Sequence, residues 1–176
     1  MALLQVSNLS IHFGNVRAVQ DVSFAVDEGS IYSVIGPNGA GKTTLFNLIT
    51  GVYQPTSGTI RFGGQDVHGK RPDQLAALGV ARTFQNLQIW MNMTALENVM
   101  VGAHLRLKRG MLHAVLRPGS LRRSEQAQRA EARQLMEFVH LGEYVDSRAD
   151  SMSFGALKRL EIARAMAMKP RIIFLD

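Results

Sequence analysis

The chain has 176 residues, 46% of them hydrophobic and 19% charged, which is the material of one globular domain or of a core with an inserted subdomain. It contains no cysteine, which excludes a disulfide framework and thiolate chemistry and fits a reducing compartment. The net charge of +6, from 20 basic against 14 acidic residues, is compatible with an anionic ligand, a lipid surface or nucleic acid. No basic start followed by a long apolar block marks a signal peptide. The longest apolar runs, Val99–Val101 and Ile172–Leu175, fall far short of the roughly 20 residues that cross a bilayer. A soluble chain is expected, with any membrane role supplied by a partner.

Residues 3–35 read as short strands: Val22, Phe24 and Val26 alternate with Ser23 and Ala25, and Glu28-Gly29 supplies a turn. Ile31–Ile35 is a nearly continuous apolar run, the pattern of a strand buried on both faces. A glycine-rich turn follows. Lys42–Thr50 then carries Leu45, Leu48 and Ile49 at helical spacing, with Gly51 placed to end the helix. Pro55–Gly58 and Gly63-Gly64 bracket a short strand, Thr59–Phe62.

From about Leu87 the pattern turns helical. Thr94-Ala95-Leu96-Glu97 is a capping box, and Leu96, Val99, Met100 and Ala103 form one stripe behind it. Arg117–Ser120 is expected to break the chain. Arg122–Val139 is then helical, with Ala127, Ala130, Leu135, Met136 and Val139 available to face inward. Much of the basic excess, including Arg106, Lys108, Arg109, Arg117, Arg122 and Arg123, lies between His104 and Arg133. A solvated helical face and a partner or headgroup surface both explain it, and the absence of interleaved aromatics argues against nucleic-acid stacking. A further helix spans about Ser153 to Met168, ended by Lys169-Pro170, and Arg171–Asp176 reads as a buried strand with a carboxylate at its end.

Gly36-Pro37-Asn38-Gly39-Ala40-Gly41-Lys42-Thr43 has the G-x-x-x-x-G-K-[ST] spacing of a phosphate-binding loop. Glycines let the backbone turn tightly enough for its N–H groups to converge on phosphate oxygens. The helix that starts near Lys42 points its positive end at the same anion. Lys42 supplies a movable point charge, and the Thr43 hydroxyl is a hard oxygen ligand for Mg²⁺; Thr44 completes the binding set. The loop falls between an expected strand and an expected helix, the context that supports it. Asp176, at the carboxyl end of an apolar strand, is suited to hold a Mg²⁺-bound water beside the phosphates. Gln85 follows the stretch Val80–Phe84; its amide can sense the metal or the attacking water, although a lone glutamine is ordinarily a surface residue. Phe13, beside Gly14, can stack on an adenine ring or serve as a half-buried strand aromatic. Ser153-Phe154-Gly155 opens the last helix, either as a plain cap or as a second phosphate-binding helix end.

Together these pieces resemble the ATP-binding subunits of ABC transporters, across the whole chain and in the family's order. Phe13 is similar to the adenine-stacking aromatic, Gly36–Thr43 to the Walker A loop, and Gln85 to the Q-loop glutamine. Ser153-Phe154-Gly155 resembles the signature loop and Ile172–Asp176 the Walker B strand. Within the family the resemblance is to the branched-chain amino acid importer ATPases. It is carried by Ala81-Arg82-Thr83-Phe84-Gln85-Asn86, Thr94–Val99, the basic insert 104–123 and Arg159–Ala165.

The resemblance implies an α/β fold: a P-loop NTPase (RecA-like) core with an antiparallel β-subdomain, comprising 1–86 and 170–176, and an inserted α-helical subdomain over 87–169. It implies ATP and Mg²⁺ as cofactors, with Thr43, Gln85 and Asp176 toward the metal and Gln85 in a catalytic role. The implied partners are a second ATP-binding subunit, identical or not, whose γ-phosphate Ser153 and Gly155 cap, and transmembrane permease subunits. Those partners hold the chain at the inner face of the cell membrane from the cytoplasmic side, with no nucleic acid involved. A lipid or lipopolysaccharide exporter ATPase and a soluble ABC-type nucleic-acid or ribosome factor are the competing readings; the latter commonly has two cassettes or coiled-coil arms. A P-loop GTPase or small-molecule kinase would leave the Q-loop and signature elements unexplained, and no Asn-Lys-x-Asp guanine motif is present.

Two departures stand out. Met152 replaces the signature's usual leucine, and Ala156 replaces its final glutamine, which the resemblance puts at the dimer seam. The catalytic glutamate, D-loop and switch histidine that follow the Walker B aspartate in the family have no counterpart up to Asp176. Poor hydrolysis by these 176 residues alone is therefore expected, as is a core with uncovered sheet edge and apolar surface.

Overall fold

A computed structural model describes residues 2–106 and 119–176. The chain divides into two compact units, one up to Val80 and the other from Ala81 to Asp176.

The first unit is built on a four-stranded sheet ordered β2-β1-β3-β4, from β1 (Ala2–Phe13), β2 (Val16–Asp27), β3 (Ser57–Phe62) and β4 (Gln65–Asp66). All its pairings are antiparallel, with Val6 opposite both Phe24 and Ile60. Leu4 and Val6 of β1 are buried, as are Leu9 and Ile11 beyond a register shift between Val6 and Leu9, and Val22, Phe24 and Val26 of β2 lie further in than the residues between them, which is the period-two pattern of a half-buried strand. The short strands expected here are two twelve-residue strands joined at Gly14-Asn15. Helix α1 (Lys42–Ile49) buries Leu45, Leu48 and Ile49. It ends at Gly51, whose φ of +75° is left-handed and whose N–H bonds the Leu48 carbonyl at 3.2 Å. A second helix, α2 (Pro72–Ala77), buries Leu75; six residues are too few for a periodic signal in sequence.

One expectation fails in this unit. Ile31–Ile35 is not a strand, and Ile31 and Ile35 are 98% and 92% exposed. Apolar composition shows what a segment could bury, but burial on both faces requires a neighbour on each edge and a layer on each side. Among the described residues no strand ladder includes this segment.

The second unit holds β5 (Val80–Arg82), which starts on the last residue of the first unit, paired with β6 (Ile172–Phe174). Its helices are α3 (Ala95–Gly102), α4 (Gly119–Phe138) and α5 (Phe154–Met166). Leu96, Val99, Met136, Leu141, Leu160 and Ala163 form its core. Helices α3 and α5 approach so closely that a Cβ at Gly102 would run into the Arg164 carbonyl. Among the described residues no helix is long and apolar enough to cross a membrane.

Three details differ from the sequence reading. Helix α4 begins at Gly119, inside the expected break, and Ala127 and Ala130 are exposed. The buried stripe is Ala132, Met136 and Val139; Ala127 lies five residues before Ala132, about 140° around a helix of 3.6 residues per turn. Strand β6 stops at Phe174, which is buried, whereas Leu175 is exposed. Of the basic stretch, Lys108, Arg109 and Arg117 lie outside the described residues.

The capping box forms as expected. Thr94 Oγ1 accepts from the Glu97 N–H at 3.2 Å, and a Glu97 carboxylate oxygen accepts from the Thr94 N–H at 2.9 Å. The Thr94 backbone N–H, and then its side chain, hold the Glu97 carboxyl below the ordinary glutamate value. With the folded-state value depressed, this contribution is present above the ordinary value and is lost as pH falls through the lowered one. Thr94→Ala is expected to destabilise the second unit by about 1 kcal/mol, read by urea unfolding at Trp90, the one tryptophan of the chain. Glu97→Gln is expected to flatten the acid side of the same unfolding profile.

Candidate phosphate-binding site

The loop before α1 is shaped by its glycines. Gly39 and Gly41 have φ of +84° and +83°, in the left-handed region that residues with a Cβ avoid. At Gly41 there is also no room: a Cβ would run into the carbonyl oxygen of Ala18 on β2. Gly41 is the N-cap of α1 and no side chain caps that helix start, so the first-turn N–H groups are left to an external acceptor. A cleft of about 320 Å³ lies here, lined by Ala18 and Val19 of β2 and by Ile35, Gly41, Lys42 and Leu45.

Lys42 folds back over this loop. Its Nζ donates to the carbonyl oxygens of Gly36 at 2.7 Å and Pro37 at 2.8 Å. The ammonium is therefore held at the loop by weak neutral acceptors, which an anionic oxygen outcompetes. Pro37, Asn38, Gly39 and Ala40 are exposed, Thr43 is exposed on the first turn of α1, and Thr44 beside it is half-buried. Phe13, at the end of β1, is 46% exposed and meets the Tyr53 ring edge-on at 5.3 Å, so one face of an aromatic stays open to a flat ligand.

The second unit holds the other residues singled out in the sequence. Ser153 caps α5, its hydroxyl accepting from the Ala156 N–H at 3.3 Å. Nothing lies within 4 Å of where a Gly155 Cβ would stand, so the helix start is open. Ala156, by contrast, is buried in the core of this unit. Gln85 is exposed, just beyond β5. Asp176 follows β6, its carboxylate paired with the Arg82 guanidinium at 2.7 Å and its N–H bonded to Thr83 Oγ1 at 3.3 Å.

Three residues that the sequence reading gave no role in a site stand close to these. Arg82 holds the Asp176 carboxylate, and its guanidinium lies over the Phe84 ring. Glu161, only 2% exposed, accepts from the Phe84 N–H at 3.2 Å, and Lys158 Nζ donates to the carbonyls of Phe84 at 2.9 Å and Gln85 at 3.1 Å. A signal was available: Glu161 falls four residues after Leu157, on the inward stripe of α5, where a carboxylate is out of pattern.

Comparison with known proteins identifies the family. Residues 19–176 match the family described as ABC transporter. The high-affinity branched-chain amino acid transport ATP-binding protein BraF of Pseudomonas aeruginosa is 43% identical over 174 residues, which is 99% of this chain and 68% of that protein. The corresponding protein LivG of Escherichia coli is 41% identical over the same shares. A nucleotide-free ATP-binding cassette from an ABC transporter, known from its crystal structure, superposes with a TM-score of 0.81 at 34% identity, over 100% of this chain and 69% of that one. The chain belongs to the ABC transporter family, with the fold of its ATP-binding cassettes, and spans about two thirds of the length of these relatives.

The glycine loop makes its own prediction. Gly41→Ala is expected to cost more than the roughly 1–2 kcal/mol of a left-handed residue alone, because its methyl group displaces β2. Gly155→Ala, facing open space, is expected to leave stability unchanged. Thermal unfolding of the two variants beside the parent chain distinguishes them.

Proposed function

We propose that this chain is the ATP-binding subunit of an importer for branched-chain amino acids, and that it binds Mg-ATP to drive transport. The observation that carries the nucleotide part is the Gly36–Thr43 loop, with an uncapped helix start and the Lys42 ammonium directed at one place. Its donor chemistry fits a triphosphate: backbone amides, a cation held by the neutral carbonyls of Gly36 and Pro37, and the hydroxyl of the exposed Thr43. In this reading Gly36, Pro37, Asn38, Gly39, Ala40, Gly41, Lys42, Thr43 and Thr44 take the phosphates, and the open face of Phe13 takes the adenine.

Thr43, Gln85 and Asp176 would hold the magnesium ion or its water, with Gln85 also orienting the attacking water. Bound magnesium would neutralise part of the phosphate charge. Ser153 and Gly155 at the open start of α5 would cap the γ-phosphate held by a second ATP-binding subunit, so that charge-assisted bonds to ATP hold the two subunits closed. Membrane-spanning permease subunits would turn that closure into alternating access and keep the chain at the inner face of the membrane. The domain division that goes with this reading is a core of 1–86 and 170–176 and a helical subdomain of 87–169. The identity to BraF and LivG, both named for branched-chain amino acid transport, supports the choice of solute.

Lys42→Ala is expected to weaken ATP binding about tenfold to a hundredfold, the equivalent of losing a hydrogen bond to a charged group, with the fold intact. Unchanged affinity in a folded sample contradicts the assignment. Competition by GTP as effective as by ATP would favour a GTPase-type site. Co-purification with membrane permeases, followed by uptake of labelled leucine in vesicles, tests the transport part.

A further inference from the structure

Residues 84–90 belong to no helix and no strand, so their backbone groups need partners from elsewhere. Side chains of two helices supply them. On α5, Glu161 takes the Phe84 N–H, Lys158 takes the Phe84 and Gln85 carbonyls, and Arg164 donates to the Gln88 carbonyl. The Arg164 guanidinium also lies 5.0 Å from the centroid of the Trp90 ring. On α3 the fully buried Asn98 accepts from the Trp90 N–H at 3.0 Å and donates to the Trp90 carbonyl at 3.0 Å. The peptide groups on both sides of Phe84 are thus held by ionised side chains three residues apart on one helix.

The charges match. Glu161 is buried, and its carboxylate has two partners, the Phe84 N–H and the Lys158 ammonium at 3.4 Å. Besides pairing with each other, both side chains satisfy loop backbone groups that no strand or helix pairs. What they add is direction: each bond fixes one backbone atom of the loop relative to α5. The same helix begins at Ser153, with its open start. Held at the backbone and exposed at its side chain, Gln85 shares a rigid base with that helix start.

We propose that Lys158 and Glu161 are positioning residues that fasten the Phe84–Gln85 backbone to α5, so that the Gln85 side chain and the helix start at Ser153 take up their places toward nucleotide as one body. This rests on the reading of Gln85 as a residue that senses magnesium nucleotide. A displacement of Gln85 is then passed to α5, the helix that Ser153 caps, through three hydrogen bonds.

The test compares Lys158→Met, Lys158→Arg, Gln85→Ala and the Lys158→Met/Gln85→Ala double variant with the parent, using the purified full chain. Two quantities are read: hydrogen exchange at the amides of 84–86, and the factor by which Mg²⁺ strengthens ATP binding over binding in EDTA. Lys158→Met is expected to speed exchange about tenfold and to lower the Mg²⁺ factor as far as Gln85→Ala does. The double variant is expected to go no further, and Lys158→Arg, which still donates to both carbonyls, to restore both readouts. A loss of folding stability alone weakens binding with and without Mg²⁺ and leaves the factor unchanged. If Gln85→Ala lowers the factor and Lys158→Met does not, or if Lys158→Arg fails to restore it, the clamp is overturned and the reading of Gln85 stands. If Gln85→Ala leaves the factor intact, that reading falls and the positioning role falls with it. Should Lys158→Met not fold, Glu161→Gln, which keeps the shape and removes the charge, is held to the same expectation.

Discussion

An ammonium held over a ring of backbone is the interaction on which the functional account depends. Lys42 reaches back from the first turn of α1 to two carbonyls of the loop that precedes it. The loop closes tightly enough for this because Gly39 and Gly41 take left-handed conformations and Gly41 lies against the backbone of β2. Carbonyl oxygens are the weaker partners available to an ammonium; phosphate oxygens carry charge and form shorter, stronger bonds. The cation is therefore already at the place where a triphosphate would pull it, and the start of α1 adds amides that no side chain caps.

The second unit uses charge differently. Its core is ordinary packing of Leu96, Val99, Met136 and Leu160, but the segment leading out of β5 is held mostly by ionised and amide side chains. Glu161, Lys158, Arg164 and Asn98 each bond backbone atoms between Phe84 and Trp90. Burial lowers the pKa of the Arg164 guanidinium, with Glu161 opposing that shift; the desolvation is offset by the Gln88 carbonyl and the Trp90 ring. At the neighbouring strand end the Arg82 guanidinium pairs with the Asp176 carboxylate at 2.7 Å. Loop backbone that cannot enter a ladder is fixed by polar side chains from helices whose other faces are apolar.

Those differences explain what sequence could and could not show. The glycine loop was legible because each residue type answers a local demand: a positive φ, a close approach, a charge, a hydroxyl. The capping box at Thr94 and Glu97 and the cap at Ser153 were legible for the same reason, since a cap is decided within four residues. Ile31–Ile35 was misread because its burial depends on neighbours that its own composition cannot report. Ala127 and Ala130 were misread because alanine is tolerated on either face of a helix and marks neither. Glu161 stood in the inward stripe of α5, yet its partner, the Phe84 N–H, lies 77 residues away in sequence, so only the folded chain shows why a carboxylate belongs there.

The most direct measurement is a titration of the isotopically labelled chain with ATP and Mg²⁺, following its backbone amide resonances. The account predicts that the amides of Gly36 to Thr44 shift most, saturably and together, as their N–H groups take up phosphate oxygens. Saturable ATP binding that moves other amides and leaves those of 36–44 where they were contradicts it.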